Sequence, residues 1–212
     1  MNDAELRPDT LLPPLTVETL VNGGAGLARY QGRVIFIPFT AVGDRVVARV
    51  ARVKRRYAEA ELVEILQPSA QRCRPVCPVA GECGGCQWQH LPYQQQLFWK
   101  EKLFTQTLEH RLGAASESIS SIVPAPAPTQ YRSRVQVKCH QAPGGFVTGF
   151  YRPRSRFVVD IDQCPIMSPD LNRLLRMLGS SLAQTSFAGQ IPQLDLYQDD
   201  HKKCAVVVHY LG

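Results

Sequence analysis

Short runs of apolar and polar residues, punctuated every few positions by glycine or proline, fill the first third of the chain. Leu15–Val21, Ala28–Tyr30, Arg33–Phe39, Arg45–Val53 and Ala58–Leu66 each read as a strand, with turns at Gly23-Gly24, Gly32 and Val42-Gly43-Asp44. Short strands at even spacing are the pattern of a small closed barrel of the oligonucleotide-binding type. Along 45–53 the period of two turns Val46, Ala48 and Val50 inward and leaves Arg45 and Arg49 outward. Before the barrel, residues 1–11 are polar and are expected to be disordered.

Beyond the barrel the period changes. A linker, Gln67–Gln71, leads to a cysteine loop, and from Tyr93 to Leu112 apolar residues recur at Leu97, Phe98, Leu103, Phe104, Leu108 and Leu112. That spacing predicts an amphipathic helix docking on something larger. Residues 113–129, rich in Ala, Ser and Pro, read as a connector. Strand patterns return at 131–140, 146–152 and 155–161, with a tight connection at Pro143-Gly144-Gly145. A helix over 169–182 capped by Ser168 follows, and then a hairpin over 193–197 and 205–211. The chain stops on Gly212 directly after an apolar strand, so it is expected to be cut short.

Composition narrows the setting. With 212 residues, 44% of them apolar and 20% charged, the chain suits a soluble globular protein of one large or two small domains. No apolar run reaches membrane-spanning length, and Met1–Glu5 does not resemble a signal peptide, so a cytoplasmic monomer with no membrane partner is expected. The net charge of +6 suits a polyanionic partner, and its distribution says more than its sum. Arg45, Arg49, Arg52, Lys54, Arg55 and Arg56 form one stripe without an acid. Arg132, Arg134, Lys138, Arg152, Arg154 and Arg156 form another, interleaved with Tyr131, Phe146, Phe150 and Tyr151. Cations beside aromatic rings offer phosphate contacts and stacking platforms, which looped or single-stranded RNA requires. Arg45, Arg49, Arg52, Arg132, Arg134, Lys138 and Arg152 are therefore the candidate RNA contacts.

Three thiols, Cys77, Cys83 and Cys86, lie within ten residues around Gly84-Gly85. A hydrophobic core does not ask for that spacing, which is one residue longer than the plant-type iron-sulfur run and needs a fourth thiol from a distance. Cys164, followed by Pro165, is the candidate. Gly84 and Gly85 are expected to let the backbone curl with positive φ and aim amides at the sulfurs. Zinc is an alternative, although Cys83 and Cys86 make a single Cys-x-x-Cys pair. A disulfide framework fits poorly with seven cysteines and no secretory leader. Cys139 and Cys204 sit in apolar runs and read as small buried hydrophobes. Cys73 is a reserve ligand, and His90, beside a proline, reads as a local hydrogen-bonding residue.

This succession resembles a known family. A basic barrel, Cys-Pro-x-x-x-x-Cys-Gly-Gly-Cys-x-x-Gln-His from Cys77 to His90, Tyr131-Arg132-x-Arg134, Gly149-Phe150-Tyr151-Arg152 and Cys164-Pro165-Ile166-Met167 together resemble the RNA (uracil-C5)-methyltransferases, most of all the 23S ribosomal RNA branch. The resemblance covers about residues 12–170. It implies a mostly β fold with some helix: an OB-like TRAM barrel over 12–68, then an α+β central domain over 69–212, incomplete and including the 93–129 helix and linker. It also implies a 4Fe-4S cluster on Cys77, Cys83, Cys86 and Cys164, fixing the orientation of barrel and sheet, and ribosomal RNA as partner. Family members attack uracil C6 with a cysteine thiolate and methylate C5 from S-adenosylmethionine. No glycine-rich loop that could cradle SAM stands in these residues, so SAM binding and catalysis are expected in a C-terminal domain beyond Gly212, leaving no catalytic residue here and no activity for this chain alone. The alternative is a stand-alone iron-sulfur or zinc RNA-binding module.

Overall fold

In the computed structural model of the chain, residues 6–113 and 116–212 are described. Their contacts form two units, Met1–Pro75 with Gln87–Pro124, and Val76–Cys86 with Ala125–Gly212. The helix over 93–112, expected with the central domain, is thus grouped with the barrel strands.

The first unit is built on six strands: β1 (Leu15–Thr16), β2 (Thr19–Leu20), β3 (Gly26–Tyr30), β4 (Arg33–Ile37), β5 (Arg45–Val53) and β6 (Tyr57–Gln67). They form one sheet in the order β1-β5-β6-β4-β3-β2. The run 15–21 that reads as one strand is two, because the chain changes partner at Val17-Glu18: β1 pairs with β5, and β2 with β3. The two ends of the sheet are therefore two residues apart in sequence, so the sheet must curl upon itself. Val46, Ala48 and Val50 are fully buried with Ile35, Ile37, Ala58 and Ala60, while Arg45 and Arg49 stay outside. Burial of each branched side chain contributes about 1.5–3 kcal/mol.

Residues 1–5 lie outside the described residues, but the rest of the expected disordered tail is ordered. Leu6 is buried in the barrel core with Leu12 just beyond the tail, Leu11 bridges to Arg49, and Thr10 O accepts from Val50 N–H at 2.9 Å. The polar composition hides these leucines and the ladder positions that β5 offers beyond β1.

Asp44 ties the linker to this unit. Its fully buried carboxylate accepts from the N–H groups of Ala41 at 2.6 Å and Ser69 at 2.8 Å, and from Arg72 Nη1 at 2.6 Å. Removing one partner of such a buried pair typically costs about 3–5 kcal/mol. Helix α1 (Tyr93–Leu112) follows and buries Trp99 against Leu20, Ala41 and Leu91. The expected apolar stripe is not the anchor, since Phe98, Phe104 and Leu112 are 52%, 58% and 73% exposed. Among the described residues no helix is long and apolar enough to cross a membrane.

The second unit is an antiparallel sheet of β7 (Arg134–Ala142), β8 (Gly145–Tyr151), β9 (Val158–Asp160), β10 (Gln193–Gln198) and β11 (Cys204–His209), in the order β11-β10-β7-β8-β9. One face is apolar: Val135, Val137, Leu194 and Leu196 join Leu171 and Leu175 of α2 (Pro169–Leu182) in one core. Ser168 caps that helix, its hydroxyl accepting from Leu171 N–H at 3.3 Å, with Pro169 at the first position. Strand alternation sends Arg134, Gln136 and Lys138 of β7 and Gln193, Asp195 and Tyr197 of β10 to the opposite face.

Candidate metal centre and nucleic-acid interface

The cysteine loop is a series of tight turns. Ala80 N–H donates to Cys77 O at 3.3 Å, and the N–H groups of Glu82 and Cys83 both donate to Val79 O, at 3.1 and 2.9 Å. The left-handed residue that permits this is Gly81, with φ of 92°. The expectation that Gly84 and Gly85 supply positive φ is corrected, as neither is left-handed. Gly84 is required for space. A Cβ there would stand 2.8 Å from Tyr151 O and 3.2 Å from Pro153 N. Gly85 does aim its amide at a sulfur, donating to Cys83 Sγ at 3.4 Å.

Cys164 lies in the same unit, in the turn before α2. Asn172 holds that turn: its Oδ1 accepts from Cys164 N–H at 2.7 Å, and its Nδ2 donates to the carbonyls of Cys164, Met167 and Ser168 at 3.0–3.2 Å. A parallel stitch joins the turn to the segment before β7, with Arg132 N–H on Ile166 O at 2.8 Å and Ser168 N–H on Arg132 O at 3.0 Å. Asn172 is a residue the sequence reading missed. Its one cue is an amide inside the first turns of a helix, eight positions after a cysteine.

The four thiols lie near enough for their charges to act on one another. Burial pushes the Cys77, Cys83 and Cys164 thiols up, and neighbouring sulfurs add to it: Cys86 acts on all three, and Cys77 on Cys83 and Cys164. Backbone amides oppose the rise, from Val79 at Cys77, Gly85 at Cys83, and Ile166 and Met167 at Cys164, as does the Arg132 charge at Cys83. Among the described residues no three His, Cys, Asp or Glu side chains converge tightly enough to hold a single metal ion. A donor set of four thiols, three of them met by amide N–H groups, has the chemistry that an anionic cluster requires.

The other candidate residues fall elsewhere. Cys73 belongs to the first unit, its thiol 3.6 Å from Gln89 O. Cys139 is buried in the sheet core, where burial pushes its thiol up to about 12, which leaves it inert. Cys204, expected inside, is exposed, because β11 is an edge strand of the sheet. His90 is fully buried, with Nε2 3.1 Å from Thr40 O and its ring 4.4 Å from that of Phe39, consistent with local hydrogen bonding.

The two basic stripes meet different surroundings. On β5, Arg49 faces Glu61 and Arg52 faces Glu59 across the β6 ladder, while Arg45 faces Gln67 and Thr16. On β7, Arg134 faces Tyr197 and its guanidinium lies 5.1 Å over that ring; Lys138 faces Gln193, and its ammonium lies 5.5 Å over Tyr151. Arg152 lies 4.7 Å over Phe157, an aromatic outside the sequence-derived list. Arg132 is not on the strand; it is half-buried, and its charge acts on Cys83.

A model described as the TRAM domain matches residues 14–63. An uncharacterized RNA methyltransferase of Thermosynechococcus vestitus is 39% identical over 79% of this chain and 37% of its own length. The 23S rRNA (uracil(1939)-C(5))-methyltransferase RlmD of Azoarcus sp. is 35% identical over 87% of this chain and 43% of its own. The crystal structure of Pyrococcus abyssi tRNA (uracil-54, C5)-methyltransferase in complex with S-adenosyl-L-homocysteine aligns with a TM-score of 0.64 and 25% identity, covering 92% of this chain and 45% of that one. The chain thus spans less than half the length of these relatives. It carries a TRAM domain and is a homologue of RNA methyltransferases, the 23S rRNA uracil-C5 enzymes among them.

Proposed function

We propose that the chain is the RNA-recognition part of a SAM-dependent 23S rRNA (uracil-C5)-methyltransferase, with Cys77, Cys83, Cys86 and Cys164 holding a 4Fe-4S cluster. The observation that carries this reading is the grouping of four thiols in one unit, on segments far apart in sequence, with amides aimed at three of them. Once bound, the cluster supplies a covalent staple between the 76–86 loop and the turn before α2, and its binding energy becomes folding energy. The chain's own residues do the rest. Asn172 orients the Cys164 turn, Arg132 offsets negative charge at the sulfurs, and the cations of β7 and the 152–156 turn meet RNA phosphates in the cytoplasm. No residue of this chain is assigned to the methyl transfer; thiolate attack, proton removal and SAM binding are placed in the part of the relatives' length that it does not cover.

Metal analysis tests the reading. Anaerobically purified protein should contain about four irons and four acid-labile sulfides, with a broad visible absorbance. Stoichiometric zinc in a colourless protein would replace it with a zinc-stabilised RNA-binding module.

A further inference from the structure

The cysteine loop and an arginine-rich turn are built against each other. Gly84 N–H donates to Tyr151 O at 2.9 Å, and the absent Cβ of Gly84 is what lets the chain at Tyr151 and Pro153 come so close. Tyr151 ends β8 and opens the turn, which closes through Ser155 N–H on Arg152 O at 3.2 Å and Arg152 N–H on Phe157 O at 2.9 Å. Arg154 holds a left-handed φ of 58° at its tip. Between loop, turn and sheet lies an open cleft of about 650 Å³, whose wall includes Gly84, Gly85, Lys138, Arg152, Arg154 and Arg156 and, among the described residues, no carboxylate.

Four cations line one cleft, and such a concentration of positive charge attracts a polyanion. The volume has room for a ligand the size of about one or two nucleotides, which suits an unpaired strand and not a duplex. Tyr151, which lines the cleft and is 40% exposed, gives a base a flat ring to stack on. We infer that this cleft binds the sugar-phosphate backbone of single-stranded RNA with the cysteine loop as one wall, so that the metal-loaded loop sets the cleft's shape and thereby RNA affinity. The inference rests on the RNA-recognition reading above and adds the coupling of the two sites.

The test is binding of a fluorescent, unstructured oligoribonucleotide to the iron-loaded full chain, read by anisotropy. Gly84→Ala leaves every cysteine in place; it should retain its iron and lose at least tenfold in affinity, and removing iron from the unsubstituted chain should cause a comparable loss. Gly144→Ala, in the connection between β7 and β8 and outside the cleft wall, whose Cβ would meet nothing within 4 Å, should bind as before. Should Gly84→Ala fail to fold, the surface variant Arg154→Gln/Arg156→Gln decides, with a loss of tenfold or more expected. Unchanged affinity in that variant, or in the iron-free chain, overturns the inference while leaving RNA recognition standing. A chain that binds no oligonucleotide at all overturns both.

Discussion

The stripe on β5 and the stripe running from Arg134 to Arg156 have the same composition in sequence: clustered cations, no acid. In the fold they differ in what stands opposite. The barrel arginines at 49 and 52 look across the ladder at Glu61 and Glu59, and opposite charges directly across a strand pair offset each other. The sheet cations look at tyrosine and glutamine, while Asp195 on that face is 7% exposed and already accepts from Gln193 Nε2 at 2.6 Å and Gln136 Nε2 at 3.4 Å. A basic run in a sequence is thus half a statement about nucleic acid. The other half is the register of its neighbour.

The largest expected effect separates the units by their staple. Cys83→Ser or Cys164→Ser should lose iron and loosen the second unit, leaving the barrel folded, whereas Cys204→Ser, exposed on an edge strand, should change neither iron nor stability. Equal iron in all three variants would contradict the ligand set.

A pH ramp on the metal-free chain separates them a second way. Burial holds the His90 imidazole down from 6.5 to about 4. Its folded pKa lies below the unfolded one, so the stability it contributes is fully present above about pH 6.5 and is lost as pH falls toward 4. The full difference corresponds to about 3 kcal/mol. Denaturation midpoints of the barrel unit should fall over that window, and His90→Gln should flatten the fall; an unchanged slope would remove His90 as its source.

The smallest effect probes the masking itself. Glu59→Gln with Glu61→Gln should raise RNA affinity about two- to fivefold by unpairing Arg52 and Arg49, at a stability cost near 1 kcal/mol from the lost cross-strand pairs. No gain would mean that the β5 stripe does not face RNA even when unmasked.

What could be read in advance follows from how local each signal is. Both helices were legible to the residue, since Pro92 and Gly113 bracket one and Ser168-Pro169 opens the other. The inward set of β5 was legible from its period of two. Partner changes were not: nothing in Leu15–Val21 says that the chain leaves β5 for β3 at Val17-Glu18. Leu6 and Leu11 are hidden in a polar tail, because the order of that segment depends on ladder positions that β5 offers beyond β1. The glycine pair stands out in the sequence, but the reason Gly84 is needed does not, as the space that excludes a Cβ there is made by Tyr151 and Pro153, nearly seventy positions on. Asn172 was invisible because its four hydrogen bonds go to backbone, which leaves no trace in residue type.

The contrast between the stripes is tested most directly by titrating one unstructured RNA, over a range of salt, against two neutralised chains: Arg45→Gln/Arg49→Gln/Arg52→Gln and Arg134→Gln/Lys138→Gln/Arg152→Gln. The sheet variant should lose about ten- to a hundredfold in affinity, and its salt slope should flatten by about two, at roughly 0.7 per phosphate contact; the barrel variant should lose no more than about threefold. Equal losses, or the larger loss in the barrel variant, would contradict the assignment of RNA contact to the open face of the central sheet.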